Sequence, residues 1–176
     1  GPADILLRGL GEALGARRLG VVFWLTTALA LALYLVVAVI FMARPTVKNG
    51  LFALAALPQS ANLLFIAAQT AAGMHLPEGF AHADHGWRMV FDVITCMAIV
   101  HSAALHPRPL PWVRWMPPVL WGVTGMVALT LLTLHVPYAW WIGQGFCIAL
   151  GLATLAQFEW SYRTQPHPLT LIFKRF

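Results

Sequence analysis

Residues 19–43 read "LGVVFWLTTALALALYLVVAVIFMA". The run is uncharged and apolar on all sides, so no face of it is suited to water. A helix rises about 1.5 Å per residue and needs about 20 apolar residues to cross about 30 Å of hydrocarbon. Residues 19–43 meet that length. A barrel strand would instead be a segment of about 10 residues with alternating polarity. In lipid each backbone N–H and C=O must be paired inside the segment, so a run of this kind is helical.

Working outward, four more apolar runs follow, at about 51–73, 89–105, 118–136 and 138–162. The third is the shortest and the most polar. The expected fold is all-α: an integral membrane helical bundle of five transmembrane helices over residues 19–163. Composition agrees. The chain of 176 residues is 60% hydrophobic and 10% charged, with mean hydropathy +0.74. A soluble domain carries about 25% charged residues, and one this small has too much surface for its volume to hide so much apolar area.

The flanks fit the same picture. Residues 1–18 begin with Gly1-Pro2, which reads as the scar of a cleaved tag. They continue as "ADILLRGLGEALGARR", where Ile5, Leu6, Leu10 and Leu14 approximate one helical face. That pattern predicts an N-terminal amphipathic helix at the interface, against which its glycines weigh. Residues 164–176 form a basic C-terminal tail, expected to be cut off before further domains. The connections are short, with "RPTVKN", "HPRPLPWVRWMP" and "HVPYA" as links, and prolines close one helix and open the next. Trp87, Trp112, Trp115, Tyr138, Trp140, Trp141 and Trp160 lie at span ends, where amphipathic rings favour the headgroup zone.

The net charge is +5, but the basic residues are thinly spread near span ends and collect on no polar face. Nucleic acid is therefore not an expected partner; the lipid bilayer is. With the N-terminus outside, seven basic residues (Arg44, Lys48, Arg108, Arg114, Arg163, Lys174, Arg175) face the cytoplasm and four (Arg8, Arg17, Arg18, Arg88) face out. The positive-inside bias thus favours N-out and C-in, in a membrane of the bacterial inner-membrane type.

Polar residues inside apolar spans mark the candidate sites. The link "MHLPEGFAHADHGW" (residues 74–87) carries His75, His82 and His85 with Glu78 and Asp84. Histidines three apart can share a divalent metal or sense protons, and a solvated polar link is the plainer expectation. In the third span Arg88 and Asp92 are four apart and are expected to pair, with Asp92 about one turn inside the membrane. His101 lies nine residues further on, which is about 900° of rotation and the opposite side of the helix. His101 is a candidate haem ligand or an interhelical hydrogen-bonding group. The second span carries Gln59, Asn62 and Gln69 beside Pro58, which removes a backbone bond; this stripe faces protein or a cavity rather than lipid.

In the fifth span Gly143, Cys147 and Gly151 recur every four residues, a small face for close packing within the bundle or in a homodimer. Cys96 and Cys147 form no Cys-x-x-Cys or zinc spacing and read as small buried hydrophobes. Gln144 is a further polar point, and Glu159 is expected to pair with Arg163.

No Gly-x-Ser-x-Gly, phosphate loop, His-Glu-x-x-His or Cys-x-x-Cys motif is present, so nothing in the sequence points to an enzyme. The expected function is a membrane sensor or anchor domain of a signalling protein, binding a small ligand near Asn62, Gln69, Asp92, His101 and Gln144. A cytoplasmic effector domain beyond Phe176 is expected to read the shift. The alternatives are a haem- or metal-binding redox subunit, a small transporter using Asp92 and His101 as relay groups, and an accessory subunit of a membrane complex.

Overall fold

The computed structural model describes residues 2–72, 78–106, 109–133 and 138–164. Five helices follow one another: α1 (Pro2–Ala43), α2 (Val47–Ala72), α3 (Glu78–Leu105), α4 (Met116–Thr133) and α5 (Ala139–Thr164). A 3₁₀ turn at Pro111–Arg114 precedes α4, and no strand occurs among the described residues. Each helix holds a stretch long and apolar enough to cross a membrane: Gly20–Ala43, Val47–Ala71, Asp84–Leu105, Met116–Thr133 and Ala139–Thr164.

Two boundaries differ from expectation. Residues 2–19 are helical, and their backbone continues without a break into the first span as one helix of 42 residues. At about 1.5 Å per residue that is roughly 63 Å, about twice the thickness of the hydrocarbon. Glycines 9, 11 and 15 lower helix propensity but do not stop a helix that no proline interrupts. The second difference is α3, which starts at Glu78. Most of the polar link is therefore helix rather than loop, as the proline-free run after Pro77 permits.

The hub of the bundle is α3. Among the described residues it packs on α2, α4 and α5, whereas α1 packs on α2 alone and α4 barely meets α5. Burial follows, with 44% of the α3 span buried against 11% for the spans of α1 and α4. One apolar cluster joins Met89, Val90 and Val93 of α3 to Leu131 of α4 and to Phe146 and Cys147 of α5. A second joins Met97 and Val100 to Leu150, with Trp121 and Phe146 packed on it. The α1–α2 seam uses Val37, Ala53 and Ala56, and Ser60 Oγ donates to the Ala30 carbonyl across it at 2.8 Å. Small residues let helices come close, and a hydroxyl bond across the gap adds to the packing.

The connections are pinned. Leu110 is buried and its N–H reaches the Ala104 carbonyl at 3.0 Å. Trp112 meets Trp160 of α5 edge-on, with ring centroids 5.4 Å apart. Before α5, Tyr138 takes φ 65°, a left-handed conformation that a bulky residue adopts only where a sharp turn requires it. The outward faces stay apolar: Trp24 is 70% exposed and Met42 81%.

Candidate functional site

The richest polar contact among the described residues lies between α2 and α3. Asp92 Oδ1 accepts from Gln59 Nε2 at 3.1 Å and from Asn62 Nδ2 at 3.0 Å. Gln59 Nε2 also donates to Thr95 Oγ1 at 3.1 Å, and that hydroxyl donates to the Ala55 carbonyl at 3.1 Å. Gln59 and Asn62 are three apart on α2, and Asp92 and Thr95 are three apart on α3, so each pair projects from one face. Pro58 sits inside α2. It has no N–H for the Leu54 carbonyl, and its ring crowds that turn. Thr95 supplies a donor to the next carbonyl, Ala55, which is how neighbouring helices make a proline tolerable within a span.

Asp92 therefore does not pair with Arg88, as its spacing suggested. Arg88 Nε instead reaches Asp84 Oδ1 at 2.8 Å, and Gln69 Nε2 donates to Asp84 Oδ2 at 2.6 Å. Helical side chains lean toward the N-terminus, so Arg88 turns back one turn to Asp84 while Asp92 is taken by α2. Along the apolar stretch Asp84–Leu105, Asp92 lies eight residues from the start, about 12 Å from one end and about 20 Å from the other, within the middle third of that stretch.

The partners of Asp92 are neutral amides. Among the described residues the ion pairs are Arg88–Asp84 and Arg163–Glu159, and Asp92 belongs to neither. Asn62 Oδ1, on the same amide that holds Asp92, is buried without a hydrogen-bond partner. An amide oxygen left this way beside a carboxylate is an acceptor in search of a positive group.

The remaining sequence candidates do not join this cluster. Gln69 belongs to the Asp84–Arg88 group, two turns away at the end of the span. His101 accepts at Nδ1 from Trp121 Nε1 of α4 at 3.2 Å, so it and Asp92 face different helices. Gln144 is half-buried on α5 and shares no hydrogen bond with Asp92 or His101 among the described residues. His85 is exposed and stacks on Trp140, with centroids 5.6 Å apart. His75 and the side chain of His82 lie outside the described residues, and among those described no group of three His, Cys, Asp or Glu side chains could hold a metal. Gly143 faces α3, where an added Cβ would overlap the Met89 methyl group. Cys147 packs on the same α3 cluster, and a Cβ at Gly151 would meet open space.

Sequence reasoning missed Thr95, and it named Asp84 only as part of the polar link, not as the partner of Arg88 and Gln69. The signal for Thr95 was its i+3 relation to Asp92, which puts a hydroxyl on the carboxylate's face. The pairing of Asp84 was hidden because the link before Trp87 was read as loop, whereas α3 starts at Glu78. No protein-family model, curated protein or solved structure matches the chain.

Proposed function

We propose that this chain is an integral membrane domain that senses a proton or a small monovalent cation at the α2–α3 seam. Five helices cross the bilayer, with the N-terminus outside and the C-terminus in the cytoplasm. The observation that carries the reading is Asp92: a carboxylate in the middle third of a span, held by two neutral amides and joined to no basic residue among those described. A bare negative charge at that depth is costly. A proton on the carboxyl group or a cation beside it would offset that cost.

The surroundings suit either occupant. Asn62 Oδ1 is a buried oxygen without a partner, and small hard cations take oxygen ligands. A protonated Asp92 would offer the same oxygen a donor. Because Gln59 links Asp92 to Thr95, and Thr95 holds the Ala55 carbonyl beside Pro58, any change of charge at Asp92 acts on the weakest turn of α2. Occupancy thereby biases how α2 packs on α3, and α1 follows because among the described residues it rests on α2 alone.

The test is infrared difference spectroscopy on the reconstituted protein, between acidic and alkaline buffer and between sodium-free and sodium-containing buffer. The expected result is a protonated-carboxyl band that disappears in Asp92→Asn, persists in Asp84→Asn and shifts in Asn62→Leu. If a cation is the occupant, sodium removes the band at constant pH. A spectrum without any Asp92 band, combined with no effect of sodium, refutes the reading.

A further inference from the structure

The α1–α2 seam carries a groove of about 640 Å³, lined by Tyr34, Phe41 and Met42 of α1 and by Val47, Gly50 and Leu57 of α2, among others. Tyr34, Phe41, Met42, Val47 and Leu57 are exposed, so the groove opens away from the bundle. The helices set its length. Along α2 it runs from Val47 to Leu57, and along α1 from Tyr34 to Met42, which is about 15 Å and about 12 Å of helix. Both Met42 and Val47 lie at the link end of their spans. In hydrocarbon about 30 Å thick, such a groove covers the depth of one leaflet.

The end of the groove at the link is basic. The Arg44 N–H donates to the Ile40 carbonyl at 3.2 Å, so Arg44 continues the last turn of α1, three residues after Phe41. Lys48 stands three residues before Leu51, another lining residue. Residues three apart are neighbours on a helix surface, so both cations flank the mouth of the groove. Both are exposed, and neither belongs to the ion pairs among the described residues. The link between them is fixed, because the Arg44 carbonyl accepts from Asn49 Nδ2 at 2.7 Å and from the Thr46 N–H at 2.8 Å. Long basic side chains lay their stems on apolar surface and hold their charged heads at the interface.

We infer that this groove holds one anionic phospholipid of the leaflet that the α1–α2 link faces. An acyl chain lies between Phe41 and Gly50, and the phosphate meets Arg44 and Lys48. Basic sites between transmembrane helices recognise anionic headgroups in this way. A second copy of the chain is a poorer fit. Of the acidic side chains described, Asp84 and Glu159 are ion-paired and Asp92 is held by amides, so a copy brings no spare carboxylate to the two cations. The inference rests on the bilayer reading of the five helices and is independent of any occupant at Asp92.

The experiment uses the full chain in detergent micelles, titrated with phosphatidylglycerol or with phosphatidylcholine of the same acyl chains, and native mass spectrometry counts the lipids retained. The expected result is one phosphatidylglycerol per chain, bound about tenfold or more tighter than phosphatidylcholine. The double variant R44Q/K48Q should bring phosphatidylglycerol down to the phosphatidylcholine level. R114Q, which removes an exposed cation at the link before α4, should change neither. A Cβ at Gly50 meets only Phe41, at 3.8 Å, so G50L should fill the groove and weaken both lipids. Equal retention of the two lipids, an equal loss in R114Q and R44Q/K48Q, or a lipid-free dimer would each overturn the inference while leaving the bilayer reading in place. A chain that stays monodisperse in buffer without detergent would overturn both.

Discussion

Replacing Thr95 by valine removes one hydroxyl and leaves the shape of the side chain almost unchanged. The structure says what is lost. Thr95 Oγ1 accepts from Gln59 and donates to the Ala55 carbonyl, both at 3.1 Å. Gln59 keeps its bond to Asp92, but the carbonyl at 55 loses its link to α3. Hydrogen bonds between helices inside membranes average about 0.6 kcal/mol and reach about 1.7. Two of them give a loss of roughly 1 kcal/mol, with an upper bound of about 3. No cavity contribution enters, because the volume is conserved.

Ser60→Ala is the internal scale. It removes the single bond to the Ala30 carbonyl and should cost about half as much, roughly 0.6 kcal/mol. Pro58→Ala returns an N–H to α2, so in that background Thr95→Val should be milder by about 0.5 kcal/mol or more, a coupling expected of groups that share a turn. The assay is unfolding by an anionic detergent in mixed micelles, followed by tryptophan fluorescence. The reasoning fails if Thr95→Val unfolds within about 0.3 kcal/mol of the parent, or if its cost is the same with and without Pro58.

Arg88→Leu strands Asp84, which is 4% exposed and would keep only Gln69. Removing one partner of a buried pair costs about 3–5 kcal/mol, and the lower end applies because the Arg88 side chain retains 22% exposure; adding Asp84→Asn should recover most of it in the same unfolding assay. Gly143→Ala pushes a methyl group into the terminal methyl of Met89; overpacking costs about 1–3 kcal/mol and the gain in helix propensity offsets about 1 kcal/mol of it, so the net cost should be about 0–2 kcal/mol. Shortening the obstacle with Met89→Ala should make the double variant more stable than the summed singles by at least about 0.5 kcal/mol, and strict additivity would show that α3 and α5 do not meet there.

The residues of α1 show how far sequence alone carries. "LGVVFWLTTALALALYLVVAVIFMA" has no polar face to hide, so length and apolarity suffice to define a helix that could cross a membrane. The same holds for the other four runs, and five helices of that kind are found. The α2 stripe of Gln59 and Asn62 was also legible, because polar groups on an apolar span stand out. The start of α3 was not, because polar residues are as compatible with a helix outside lipid as with a loop, and backbone pairing rather than side-chain polarity decides between them.

Which polar residues meet was decided by tertiary structure. On α3, Arg88 has an acid four residues away in each direction, and spacing treats Asp84 and Asp92 alike. The tie breaks only because α2 presents two amides to Asp92 and one to Asp84, leaving Arg88 to lean back toward the helix start. Helix formation in these spans is a local property of the chain, set by backbone hydrogen bonds within a few residues. Partner choice is set by rotation and depth of one helix against another, which no single segment encodes.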